Sequence, residues 1–193
     1  MYTPKNFEQL LGTAGMSDAL LKNHFTLYEG YVKNTNLVLD KIEALAKSGQ
    51  RTTPEYNELK RRFGWEYNGM RLHELYFGNM KRGGTERLKE DSMLCKKICA
   101  QWGSFDEWAK GFTATGAMRG IGWVILSYDK ESDRLFTIWV NEHDVGHLAG
   151  SLPLLVMDVF EHAFMLDYGL KRADYIQAFW KAIDWDIVSS RLS

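Results

Sequence analysis

Apolar and aromatic positions recur at steps of three and four near the start of the chain. Leu20, His24, Leu27, Tyr28, Tyr31, Val38, Ile42 and Leu45 fall on one stripe. That spacing predicts a single long amphipathic helix. Ser17 is placed to cap it, and Ser48-Gly49 to stop it. A second stripe carries Tyr56, Leu59, Phe63, Tyr67, Met70, His73 and Phe77. It opens behind Thr52-Thr53-Pro54, where the proline suits a first helical turn, and ends before Arg82-Gly83-Gly84. Ser48-Gly49-Gln50 is a turn short enough to make the pair a helical hairpin.

Beyond Gly83-Gly84 the texture changes. A helix is predicted over Glu86 to Gln101, and Gly103-Ser104 begins another bearing Phe105, Trp108 and Phe112. Two β-branched and aromatic runs, Trp123 to Tyr128 and Arg134 to Val140, flank the polar stretch Asp129 to Asp133 and read as a hairpin. Leu154 to Met157 adds a third strand, and Tyr175 through Leu192 reads as helix with Trp180 and Trp185 packed. The predicted class is α+β. A long N-terminal helical hairpin domain covers residues 1–83, and a C-terminal α/β domain with a small three-stranded antiparallel sheet covers 84–193.

Composition narrows the function. The chain has 193 residues, 45% apolar and 25% charged, with a formal net charge of −1. Such a balance argues against a general nucleic-acid binder or a polybasic membrane partner. No apolar run reaches a membrane span, and Met1 to Asn6 opens no signal-peptide core, so cytoplasmic residence is expected. The two cysteines, Cys95 and Cys99, are half of a structural zinc site at most, and read as small helix residues without a disulfide.

The chemistry lies in the histidines. There are five: His24, His73, His143, His147 and His162. His24 and His73 sit on the apolar stripes, and Asp158 precedes His162 by four residues, directly after the apolar run Leu154 to Met157. Each alone reads as a core histidine or a helix cap. Together, three half-buried imidazoles and a carboxylate make a possible four-ligand metal site with room for solvent. Such a set favours iron, manganese or zinc over calcium or copper.

Asp158 to Tyr168, with Arg172 and Tyr175, resembles the D-V-W-E-H-A-Y-x-x-D-Y-x-N-x-R-x-x-Y pattern of the iron/manganese superoxide dismutases. Tyr31 to Asn36 is similar to that family's Y-V-x-x-x-N, and His73 to Phe77 to its H-x-x-[YF]-[WF]. Trp102 to Trp108, Gly120 to Trp123 and Phe179 to Trp185 resemble F-G-S-F-E-x-F, G-S-G-W and F-W-x-x-x-N-W, in the family's order. The resemblance implies one iron or manganese ion per subunit, held by His24, His73, Asp158 and His162. It implies conversion of superoxide anion to dioxygen and hydrogen peroxide in a homodimer or tetramer. Glu161 matches a residue that reaches the partner subunit's ligand, and Trp123 and Phe160 match the apolar shell.

Several positions depart from the family pattern. His24 and Tyr31 are seven residues apart where eight is common. Tyr31 is the expected gate and proton relay, with Tyr28 as runner-up. Tyr28 or Leu27 stands near the family's absent second first-helix histidine, and Met165 replaces its usual aromatic partner. Gly69 stands where many iron enzymes carry a glutamine that touches bound solvent. His143, in the loop after the second strand, is expected to take over that contact, while His147 is structural. Lys33 and Arg172 are candidates for extending an attractive field. The altered first helix leaves an alternative: a metal-binding relative of the same fold without dismutase turnover. A non-haem iron oxygenase would need open coordination positions that a fourth protein ligand fills.

Overall fold

The computed structural model describes residues 1–85 and 87–192. Glu86 and Ser193, which the predicted third helix and C-terminal domain include, lie outside them. Helix α1 runs Asp18–Lys47, with Ser17 Oγ accepting from Leu20 N–H, and α2 runs Pro54–Gly78, capped by Thr53. The two pack along each other as the long hairpin that their stripes predict. The stripe of α1 is displaced from the expectation: Val32 and Thr35 are buried, while Leu27 is exposed. Along α2 burial deepens toward the C-terminal half, from Glu66 through Phe77.

The third helix, α3, covers Met93–Trp102, so it starts later than predicted. Ser92 sets the start, because its Oγ accepts from Cys95 N–H. Helix α4, Phe105–Gly116, is capped by Ser104 as expected. Three antiparallel strands follow, β1 (Gly122–Asp129), β2 (Arg134–Asn141) and β3 (Leu152–Asp158), in the order β2-β1-β3. The central strand β1 is buried from end to end but for Asp129, which explains its apolar run Trp123 to Leu126. Its register sets Trp123 opposite both Val140 and Asp158.

After β3 the chain makes a 3-10 turn at Glu161–Ala163, then the short α5 (Met165–Tyr168). The single C-terminal helix expected over Tyr175 to Leu192 is two, α6 (Arg172–Ala182) and α7 (Trp185–Ser190). Ile183 is extended and bridges Met80, and Asp184 caps α7, so the break serves a tertiary contact. Trp180 and Trp185 pack beside Phe105 and Trp108. One apolar cluster runs from Phe7 to Val188 through hairpin, sheet and C-terminal helices. The fold is α+β, a long N-terminal helical hairpin followed by helices and a three-stranded antiparallel sheet. No helix among the described residues is long and apolar enough to cross a membrane.

Candidate metal centre

His24 and His73 are contributed by the facing sides of α1 and α2, and both are buried. Asp158 is the last residue of β3, and His162 lies in the 3-10 turn that follows. The Asp158-to-His162 spacing therefore works across a strand end and a turn, not along one helix face. Asp158 Oδ2 lies 3.2 Å from His24 Nε2, 3.1 Å from His162 Nε2 and 3.6 Å from His73 Nε2. One ligand atom from each of the four residues fits within 4.8 Å of every other. Metal–ligand bonds of about 2.0–2.2 Å, at right to trigonal angles, separate neighbouring donors by about 3–3.8 Å. The three distances from Asp158 Oδ2 fall in that range.

The bonds around the cluster orient these groups. His73 Nδ1 is 2.6 Å from the carbonyl of Gly69, so it carries the proton and donates. That leaves the His73 Nε2 lone pair buried, 3.6 Å from a carboxylate oxygen and without a hydrogen-bond partner among the described residues. A buried acceptor facing another acceptor is costly unless a cation stands between them. The residues present thus fit a metal ion. Asp158 Oδ1 accepts from Phe160 N–H at 2.8 Å, and its backbone carbonyl accepts from Tyr175 Oη–H at 2.7 Å. Burial pushes both His24 and His73 toward the neutral form, His73 well below its ordinary value. Burial alone would raise the Asp158 carboxyl, but His162 and His24 hold it far below the usual carboxylate range. The set offers neutral nitrogens from α1 and α2 and an ionised oxygen, as a transition metal requires.

Outside the cluster, Tyr31 stacks on the His73 ring, with centroids 5.2 Å apart, and its hydroxyl lies 2.7 Å from His143 Nε2. Trp123 Nε1–H donates to His143 Nδ1 at 3.0 Å. An indole can only donate, so His143 Nδ1 is the acceptor and Nε2 carries the proton that Tyr31 receives. Burial lowers His143 to about 4, which keeps it neutral. Both ring nitrogens are thereby taken by protein partners. The sequence expectation that His143 bonds bound solvent directly meets two nitrogens already engaged by Trp123 and Tyr31, and with His143 Nε2–H donating, the Tyr31 O–H points its own proton elsewhere. Phe160 stacks on both His143 and His162, with centroids 4.9 and 5.0 Å away.

The remaining candidates separate. The Tyr28 hydroxyl donates to Glu74 and accepts from Lys5 N–H, away from His143. Gly69 touches the Tyr31 ring directly: a Cβ there would lie 2.5 Å from its Cδ1. The Arg172 guanidinium is engaged by the carbonyls of Met118 and Gly120. Glu161 and Lys33 are exposed. His147 Nε2 lies 3.0 Å from the His143 carbonyl and braces the loop. Trp65 escaped the sequence reading, although its ring lies 4.6 Å from His143 and 5.6 Å from Tyr31. Its place on the helix eight residues before His73 was the available signal.

Fold and cluster together fit a protein with one metal-binding position among three histidines and one aspartate. Residues 90–191 match the family model for iron/manganese superoxide dismutases, C-terminal domain. The chain is 37% identical to an iron superoxide dismutase of Aquifex pyrophilus, over 97% of this chain and 89% of that one. It is 36% identical to the iron enzyme of Saccharolobus solfataricus, over 86% and 79%. It is 33% identical to a manganese enzyme of Haloferax volcanii, over 88% and 82%. This chain belongs to the iron/manganese superoxide dismutase family.

Proposed function

We propose that this protein disproportionates superoxide to dioxygen and hydrogen peroxide with one iron or manganese ion per subunit. His24, His73, Asp158 and His162 would hold the ion. The observation that carries this reading is the convergence of those four side chains, with the His73 Nε2 lone pair unsatisfied among the described residues. Similarity to relatives named for iron and to others named for manganese supports either metal. A bound ion of this kind supplies one-electron exchange and a positive centre for an anionic substrate.

The chain's own residues then manage the proton and the water. Burial raises the Tyr31 hydroxyl, so it stays protonated, and His143 Nε2–H occupies its oxygen from one side. The Tyr31 O–H can relay protons from bulk water to the reduced substrate, which takes up two of them per peroxide formed, each proton it passes on being replaced from the solvent. Trp123 holds the imidazole that orients it. Phe160 and Trp123 exclude bulk water around His143 and His162. Gly69 gives Tyr31 its place, and Tyr28 braces α1 against Glu74. The intact Tyr31–His143 pair favours an active enzyme over a relative without turnover.

We place Glu161, exposed beside His162, in the contact between the subunits of a homodimer. The free thiols of Cys95 and Cys99 accord with a cytoplasmic setting. The test is to measure the iron and manganese content of purified protein, strip it, reload each metal singly and assay superoxide removal. Activity with one or both metals is the expected result. Full occupancy with each and no removal of superoxide overturns the reading, and light scattering tests the dimer.

A further inference from the structure

His143 rides on a very short loop. Two backbone hydrogen bonds, Asn141 N–H to Val145 O at 2.7 Å and Val145 N–H to Asn141 O at 3.3 Å, close it around Glu142, His143 and Asp144. Closing so tight a loop puts Glu142 at φ +50, a left-handed conformation that side-chain-bearing residues rarely adopt. Whatever holds Glu142 therefore sets the direction in which the next residue, His143, projects. The Glu142 carboxylate accepts a hydrogen bond from Trp65 Nε1–H at 3.1 Å. Trp65 belongs to α2, so this bond ties the helix that carries His73 to the loop that carries His143.

Trp65 is itself held. The Arg62 guanidinium lies 4.0 Å from its ring, and Arg62 Nε and Nη2 donate to Glu66 Oε1 at 2.9 and 2.7 Å. The indole meets the His143 ring edge-on at 70° and the Tyr31 ring at 53°, so it packs against both members of the pair. We propose that Trp65 and Glu142 form a latch between α2 and the loop after β2. It fixes His143 Nε2 on the Tyr31 oxygen, and with it the opening through which a small anion reaches the centre. Both are positioning residues, since they act through His143 and Tyr31. The inference rests on the dismutase reading.

Trp65→Phe keeps an aromatic ring, though a smaller one, and deletes the donor, Glu142→Ala deletes the acceptor, and Glu142→Gln keeps an acceptor oxygen. Iron-loaded wild type and variants would be titrated with azide, followed by the visible spectrum, and kcat and KM for superoxide measured alongside. Melting temperatures confirm that each variant folds. The latch predicts that Trp65→Phe and Glu142→Ala change the azide Kd in the same direction by about threefold or more. The double variant should be no worse than either single, and Glu142→Gln should stay within about twofold of wild type. An unchanged azide Kd in Trp65→Phe, additive effects in the double variant, or Glu142→Gln behaving like Glu142→Ala overturns the latch. Wild type that binds azide but removes no superoxide fails the functional reading instead, and leaves the azide comparison to decide the latch.

Discussion

At the scale of single residues, Gly69 shows how a small side chain can be part of a site. Its missing Cβ leaves the space that the Tyr31 ring occupies against α2, while its carbonyl fixes the His73 tautomer. A glutamine, which the family resemblance offers at this position, would occupy the space of the Tyr31 ring. Gly69→Ala should therefore destabilise the protein by about 1–3 kcal/mol, as overpacking does, and should lower dismutase activity. Denaturant unfolding and a superoxide assay on the same preparation check both. His143 supports a pH prediction. Its folded value is about 4 and its ordinary value 6.5, so between those limits the unfolded chain binds a proton that the folded protein refuses. Stability should fall as pH drops from 6.5 toward 4 and gain nothing above 6.5. The contribution of this group is about 3 kcal/mol. In His143→Asn, the acid limb of a stability-against-pH curve should be shallower by that group's share. An unchanged limb would show that His143 titrates normally.

At the scale of elements, two devices bring the site together. Ser17 caps α1 and also donates its Oγ–H to Asp167 Oδ1 at 2.6 Å, while Ser17 N–H donates to Asp167 Oδ2 at 2.6 Å. The helix that carries His24 is thus pinned to the segment that follows His162. Ser17→Ala removes the cap and half of the pin, and should cost about 1 kcal/mol or somewhat more in denaturant unfolding. Gly122 starts β1 at φ +147, with the Val140 carbonyl where a Cβ would project. Gly122→Ala should cost about 2–4 kcal/mol and shift Trp123 out of register with Asp158. A lower melting temperature together with altered near-ultraviolet circular dichroism would report it.

The elements also show how far local patterns reach. Ser17, Thr53 and Ser104 mark helix starts legibly because a cap is a contact between near neighbours. The break at Ile183 was not legible. The helical pattern continues through it, and the reason to interrupt is a bridge to Met80, about a hundred residues away in the chain. The late start of α3 has a local signal in Ser92, weaker than the apolar periodicity that runs past it.

For the molecule as a whole, the metal should act as a structural tie as well as a redox centre. The four candidate ligands come from α1, α2, β3 and the turn after it. Removing a bound ion leaves neutral imidazoles of His24 and His73 facing a buried carboxylate, and forfeits the binding energy that favours the folded state. At a metal concentration about a thousand times Kd, that loss is about 4 kcal/mol. Chelated protein should melt at lower temperature, and either iron or manganese should restore it. Calorimetry with and without chelator checks this, and an unchanged melting temperature would mean that the four side chains hold no ion.

The sequence by itself determined the helical hairpin, the three-stranded sheet, the caps and the set of candidate ligands. Those features rest on periodicity, turn chemistry and residue type, which neighbouring positions share. The order of the family-like motifs already implied that His24, His73, Asp158 and His162 share one ion. The tertiary structure alone decided that Asp158 Oδ2 faces all three imidazoles and that Trp123 assigns the proton on His143. It alone placed Trp65 against a loop far along the chain. Those outcomes depend on how distant segments pack, and no local pattern carries that information.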